Sequence, residues 1–314
     1  MQRNFYRIVL VCLVFLLFWV TESSLANTER YYYQATPSPS DNFTQAAFSC
    51  WIPKEISPSE KIRGVMVVIP SQDADGRDAI KDSSYKKKCK EWKFALVGCY
   101  FKGGKGKFYS SVKGGSGRAL RDAFKDFSTQ SDRRELYDPK MVLIGFSAGA
   151  QFAYSMACDR PEDVIAFCAN KGVFFTSRAL GSTYRTPGLF ITNEGDETES
   201  LKNTKKIFKD GRGRDAHWAH ASRKGGSHKF GNKNTKSFIL TFIEETFPLR
   251  IKETNPSLSL ERLRFDEGFF VDASGKILPG DNRKLERDPE VSWVASELLA
   301  EELVEFSSSK AKKK

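Results

Sequence analysis

Histidine is scarce in this chain, with three residues in 314, and cysteine nearly so, with six. No Cys-x-x-Cys pair occurs, and Cys158 and Cys168 stand ten apart, so metal-ligand spacing is missing and no metal is expected. Outside Cys12, five cysteines remain, too few for a disulfide scaffold. Five is odd, which leaves at least one thiol free or paired between chains. The pairs to consider within the chain are Cys89 with Cys99 and Cys89 with Cys50. Cys99 and Cys168 sit in apolar runs and read as small buried hydrophobes. No apolar run exceeds 13 residues, which excludes a polytopic membrane protein. No internal repeat is visible. The chain is 40% apolar and 28% charged, which excludes both a disordered chain and a fibrous repeat. The net charge is +11, but no basic helix or stripe with a nucleic-acid fold signature accompanies it, and no nucleic-acid partner is expected.

What is present is ordered along the chain. Arg3 and Arg7 precede the apolar run Ile8 to Val20, and Ser24-Leu25-Ala26 places small residues where a signal peptidase reads. Thirteen apolar residues span only about 20 Å as a helix, too short for a stable crossing. Residues 1–26 therefore read as a secretory signal, and the protein as secreted or periplasmic. Residues 27–42 are polar and read as a linker, 43–248 as one catalytic domain, 249–306 as a packed extension and 307–314 as a basic disordered tail. Strands are predicted at Gln45 to Pro53, Gly64 to Pro70, Phe94 to Phe101, Met141 to Ile144, Val164 to Ala169, Gly188 to Thr192 and Ala216 to Ser222. Helices are predicted at Asp75 to Trp92, Gly117 to Phe127, Ala148 to Cys158, Leu201 to Phe208 and Asn232 to Phe247. The strands at residues 64 and 94 are continuous apolar runs, as in strands buried on both faces. Strand–helix alternation implies an α/β fold with a doubly wound, mostly parallel sheet. The extension is expected to hold a hairpin, Phe269 to Leu278, and a helix, Val291 to Phe306.

Gly145-Phe146-Ser147-Ala148-Gly149 lies between a predicted strand and a predicted helix. A sharp strand-to-helix turn exposes the serine hydroxyl, and the flanking glycines admit close backbone approach. Gly-x-Gly-x-x-Gly is absent there, so the turn is not a dinucleotide fingerprint and no cofactor is expected. Ser147 needs a base. His217 and His220 fall in the last strand pattern and point to opposite faces. His228, in Gly225-Gly226-Ser227-His228, lies in the loop after that strand and is the candidate base. The acid should follow the preceding strand. Asp196 is the first choice, with Glu194, Glu197 and Glu199 as competitors. The order Ser147, Asp196, His228 matches that of a serine hydrolase on an α/β sheet. The oxyanion donors should be the backbone N–H of Ala148 and one from the loop after the Gly64 strand, Gln72 first and Ser71 second.

With these motifs in order over about residues 43 to 247, the chain resembles the α/β-hydrolase superfamily. More narrowly it resembles secreted bacterial esterases of the polyhydroxybutyrate-depolymerase and feruloyl-esterase type. The resemblance implies an eight-stranded-type sheet and serine ester hydrolysis. One departure is visible: those depolymerases usually carry His-Gly after the oxyanion strand, where this chain has Pro70-Ser71. The expected activity is that of an exported serine carboxylesterase acting on a small-molecule or polymer-borne ester. The alternatives are a serine peptidase, or a non-catalytic binding protein on the same fold. The basic tail and extension imply weak electrostatic attachment to an acidic envelope or polysaccharide. The oligomeric state is not indicated.

Overall fold

A computed structural model describes residues 30–104, 106–196, 198–225, 233–251 and 259–309. Residues 1–29, Glu197, His228 and the last five residues lie outside this set. Eleven strands are described. Eight form one sheet: β1 (Arg30–Ala35), β2 (Gln45–Trp51), β3 (Gly64–Ile69), β4 (Phe94–Lys102), β5 (Met141–Phe146), β6 (Val164–Asn170), β7 (Gly188–Asn193) and β8 (Trp218–Arg223). Their order is β1-β2-β4-β3-β5-β6-β7-β8. β2 pairs antiparallel with both β1 and β4, and every pairing from β4 to β8 is parallel.

The apolar strands are buried on both faces because helices cover both. Val65, Val67 and Ile69 face one layer, with α2 (Ser116–Ser131) and α3 (Ala148–Asp159). Met66 faces the other, with α1 (Ser83–Trp92) and α5 (Lys233–Arg250). α4 (Thr198–Arg212) links β7 to β8. In α2 the residues Ala119, Leu120, Ala123, Phe124 and Phe127 are all buried, the stripe expected of a sheet-covering helix.

After α5 a second sheet, in the order β10-β9-β11, is built from β9 (Phe269–Val271), β10 (Ile277–Pro279) and β11 (Ser292–Val294). It is followed by α6 (Glu297–Ser308). This extension covers the last strand of the main sheet. The His220 N–H on β8 donates to Ser292 Oγ at 3.0 Å, so a sheet edge that would otherwise template foreign pairing is occupied. Arg212, fully buried, fastens the same joint by donating to the carbonyls of Val291 (2.6 Å), Leu285 (2.8 Å) and Ala216.

Several expectations need correction. Residues 30–35, expected within a linker, form β1 against β2. Arg30-Tyr-Tyr-Tyr-Gln-Ala is an edge strand in which Tyr31 and Tyr33 pack against the core and Tyr32 is exposed, but three identical residues in a row show no apolar alternation in the sequence. The helix expected from Asp75 to Trp92 is broken. A 3₁₀ turn, Arg77–Lys81, ends at Asp82, whose Oδ1 caps α1 by accepting from Ser84 N and Tyr85 N. β8 begins at Trp218 rather than Ala216. α5 runs through Pro248 to Arg250, the proline standing so near the end that its lost N–H bond and ring crowding leave only the last residues to follow. The hairpin is present, with Val271 opposite Ile277, but Val291 to Ala295 is not helical. It contributes β11, and α6 starts after the Ser296 cap. Ser307 and Ser308, expected in a disordered tail, close α6. All five cysteines described are free thiols, Cys158 half-buried and the others buried, so neither Cys89 pairing forms.

Candidate functional site

Strand order reverses at β3: β4 lies on one side of it and β5 on the other. In open parallel sheets, ligands bind outside the carboxyl ends of the strands at such a switch point. The two carboxyl ends here are Ile69-Pro70 and Phe146-Ser147. The sequence candidates for nucleophile and oxyanion donors fall at this point.

Ser147 sits between β5 and α3 with φ 56° and ψ −117°. A non-glycine residue holds that region only where its surroundings over-determine it. They do so here. The Ser147 N–H donates to the Asn170 carbonyl at 2.9 Å, and its own carbonyl accepts from Ala150 N at 2.9 Å. A Cβ on Gly145 would lie 2.0 Å from the Gly149 carbonyl oxygen, and one on Gly149 would lie 2.2 Å from the Ile69 oxygen. Both glycines are therefore required by backbone contact, as the motif implied. The Gly149 contact also presses α3 against the end of β3, so the Ser71-Gln72 loop leaves beside the first turn of α3. Ala148 occupies the first helical position, where an N–H has no acceptor within its own helix. Ser147 itself is half-buried.

Ser71 accepts from Ala74 N at 3.1 Å. The Gln72 side chain turns towards the loop after β4, donating to Asp73 Oδ1 at 3.0 Å. Asp73 Oδ1 also accepts from Gly103 N at 2.7 Å. The Tyr109 hydroxyl donates to the Pro70 carbonyl at 2.5 Å. With its amide oriented to satisfy both ends, Gln151 donates to Ser110 Oγ and the Phe174 carbonyl and accepts from Val173 N and Phe174 N. These bonds tie both loops flanking the turn to α3.

Asp196 lies in the turn between β7 and α4 and is 6% exposed. Its Oδ2 accepts from Asn193 N at 2.6 Å, which aims the carboxylate back over the strand end. The competitors differ. Glu194 is exposed, and its Oε2 accepts from Gly225 N at 3.3 Å. Glu199 is exposed on α4, and Glu197 lies outside the described residues. β5, β6 and β7 are parallel neighbours, so Ser147 and the Asp196 turn share one sheet edge, two strand spacings or about 10 Å apart. Glu194 N donates to the Arg223 carbonyl at 2.9 Å, which brings the chain leaving β8 to the same edge.

The two other histidines lie away from the Ser147 turn. His220 Nε2 bonds Thr192 Oγ1 at 2.9 Å, and His217 stacks on Phe265 at 4.3 Å between centroids. Burial, with Lys205 as the largest charge acting, pushes the His220 pKa down to about 4. Burial, with Arg212, pushes His217 down to about 3. An unfolded histidine titrates near 6.5, so below that pH the unfolded chain binds more protons than the folded one. Stability should therefore fall as pH drops from about 6.5 towards 4. Thermal melts at pH 7, 5.5 and 4 should show a falling Tm, with a smaller fall for His217→Phe. An equal fall in both proteins would contradict the assignment for His217.

One residue escaped the sequence reading. Lys171 follows β6 directly, is 2% exposed, and has φ 58°. Its Nζ lies 5.8 Å from the Phe146 ring centroid. Burial lowers its pKa, while the Asp196 charge acts to raise it. A lysine after an apolar strand reads as solvated, so no local signal marks it. A cleft of about 790 Å³ opens on the α1–α5 side of these strand ends, lined by Pro70, Tyr85, Phe146, Asn170 and Leu240 among others. Among the described residues no group of three or more His, Cys, Asp or Glu could hold a metal, and no helix is long and apolar enough to cross a membrane.

The eight-strand order, the single reversed strand β2 and the strand–Ser147–helix turn define an α/β-hydrolase fold. Solved structures similar to this chain include a ferulic acid esterase, at 12% identity and TM-score 0.48, over 65% of this chain and 93% of that one. A fluorophosphonate-binding serine hydrolase from Staphylococcus aureus is similar at 12% identity and TM-score 0.47, over 69% and 99%. An acetyl xylan esterase from Aspergillus awamori is similar at 14% identity and TM-score 0.45, over 67% and 98%. No family description matches the chain, and no curated protein matches its sequence.

Proposed function

We propose that the chain is a serine hydrolase of carboxylic esters, exported through its first 26 residues. The observation that carries this reading is the backbone of Ser147, held at positive φ at the switch point by two glycines that tolerate no Cβ. Strain of this kind costs on the order of 1–3 kcal/mol and is kept where it serves a site.

In this reading Ser147 Oγ attacks the ester carbonyl while His228 takes the hydroxyl proton. The tetrahedral oxyanion is met by the Ala148 N–H and by a second backbone N–H, from Gln72 or Ser71. Collapse breaks the ester bond, and His228 returns its proton to the departing alcohol. Water then attacks the acyl-enzyme with His228 as base, releasing the acid and restoring Ser147. Asp196 fixes the imidazole tautomer and stabilises the imidazolium. His228 is three residues beyond Gly225, a span of about 10 Å at full extension, and Gly225 N already contacts Glu194 beside the Asp196 turn.

The burial of Asp196 and its Asn193 bond support it over Glu194 as the acid. Hydrolysis of p-nitrophenyl acetate and butyrate separates the two. Asp196→Asn should lower kcat by about 10²–10⁴-fold through the wrong histidine tautomer. Glu194→Gln should stay within a few-fold of wild type. The reverse ranking would transfer the role to Glu194.

A further inference from the structure

At the opposite edge of the sheet, where β7 and β8 begin, a cleft of about 990 Å³ separates the main sheet from the C-terminal extension. β8 is six residues long, which puts this cleft about 20 Å from the Ser147 edge. It is a separate place, and no step of the proposed hydrolysis uses it.

Six arginines line it: Arg185, Arg214, Arg262, Arg264, Arg283 and Arg287. Four carboxylates line it as well, and two of these are already engaged. Arg287 forms a two-point pair with Asp215 (2.8 and 3.0 Å), and Arg264 pairs with Asp266. The other four arginines form no ion pair and no side-chain hydrogen bond among the described residues, and the two remaining carboxylates of the lining are Asp281 and Glu286. Surface arginines normally find carboxylates or carbonyls. Four around one concavity, unpaired among the described residues, form a set of forked donors suited to oxyanions.

A second observation is independent of the arginines. His217 lines the same cleft at 4% exposure, and among the described residues neither ring nitrogen makes a hydrogen bond of normal geometry, the Tyr184 carbonyl being the nearest acceptor acting on the ring. Its ring is clamped between Phe265 (4.3 Å, 5° between planes) and Trp293 (4.7 Å, 80°). Buried polar atoms are almost always satisfied, so this imidazole is a group awaiting a partner. With its pKa pushed down to about 3, it is neutral at ordinary pH and offers one donor and one acceptor. The extension supplies much of the wall, and buried Arg212 holds the extension to the foot of β8 through three carbonyls.

We propose that this cleft is a binding site for an oxyanion-rich ligand, one carrying two or more phosphate, sulfate or carboxylate groups. The unpaired guanidinium groups take the oxyanions, and the His217 floor takes a hydrogen bond from the body of the ligand. A site at the opposite ends of the strands, about 20 Å or more from the nucleophile, would attach or regulate the protein rather than present an ester to Ser147.

Isothermal titration calorimetry on the purified protein at low ionic strength tests this with two probes, inorganic tripolyphosphate and polygalacturonate. At least one should bind, saturably and more weakly at high salt. Tripolyphosphate alone would identify a phosphate-type ligand, and polygalacturonate alone a carboxylated glycan. The double variant Arg262→Gln/Arg283→Gln removes two exposed side chains without touching the core and should weaken binding tenfold or more. Lys54→Gln/Lys61→Gln removes the same charge from another exposed place and should stay within twofold of wild type. Absence of binding by both probes, or equal weakening in the two double variants, would overturn the proposal. Ester turnover should be unchanged in both, so this site and the Ser147 reading stand or fall separately.

Discussion

Ser147→Ala is expected to lower kcat for p-nitrophenyl ester hydrolysis by three to six orders of magnitude, with KM changed only a few-fold. Loss of a nucleophile removes the covalent route, and what remains comes from binding and the oxyanion donors, roughly 10³-fold over water. The backbone at Ser147 adds a second expected result. A residue held at φ 56° and ψ −117° is strained unless it is glycine. Ser147→Gly should therefore be inactive yet more stable, by on the order of 1–2 kcal/mol, or several degrees in Tm for a chain of this length. Loss of activity with a gain in stability is the signature of strain kept for function. A Ser147→Gly protein that melts below wild type would argue that the turn is not strained.

The second large effect is expected at Gly145. An added Cβ would meet the Gly149 carbonyl oxygen at 2.0 Å and its carbon at 2.3 Å. Both are backbone atoms at the start of α3 and cannot swing away as a side-chain end can. Gly149 is itself pinned, because its own Cβ position lies 2.2 Å from the Ile69 oxygen and 2.5 Å from the Pro70 oxygen. The strain must move either the helix or the end of β3, and both carry the site. Gly145→Ala should cost about 3 kcal/mol or more, a Tm fall of roughly 6–12 °C, and should abolish turnover in whatever folds. Gly213→Ala is the control, since a Cβ there meets nothing closer than 3.4 Å. It should melt within about 2 °C of wild type. Equal Tm values for Gly145→Ala and Gly213→Ala would mean the turn has room that its geometry denies.

The sequence made the central sheet legible because its parallel strands are covered on both faces and so read as uninterrupted apolar runs. It made the Ser147 turn legible because close backbone approach leaves glycine as a visible residue type. β1 was hidden for the opposite reason, because its alternating burial falls on three consecutive tyrosines and leaves no apolar pattern in the sequence. β11 was hidden because three residues, Ser292 to Val294, are too short to show a period and stand next to a true helix. The break at Asp82 was readable in hindsight, since Asp-Ser-Ser is ordinary capping chemistry that the helical pattern on either side obscured. Lys171 left no trace, because a lysine after a buried strand is ordinarily solvated. The arginine-lined cleft is assembled from four separated stretches, near residues 185, 214, 262 and 283, and from a histidine that looked like any core histidine. Only the chain path brings them together.

The central claim is that Ser147 is an activated nucleophile. It is tested most directly by treating the purified protein with a fluorophosphonate probe and mapping the labelled peptide by mass spectrometry. The expected result is one adduct, on the peptide carrying Gly145-Phe146-Ser147-Ala148-Gly149, that disappears in Ser147→Ala and is strongly reduced in His228→Ala. No adduct at Ser147, or labelling that persists unchanged in both variants, would contradict the account.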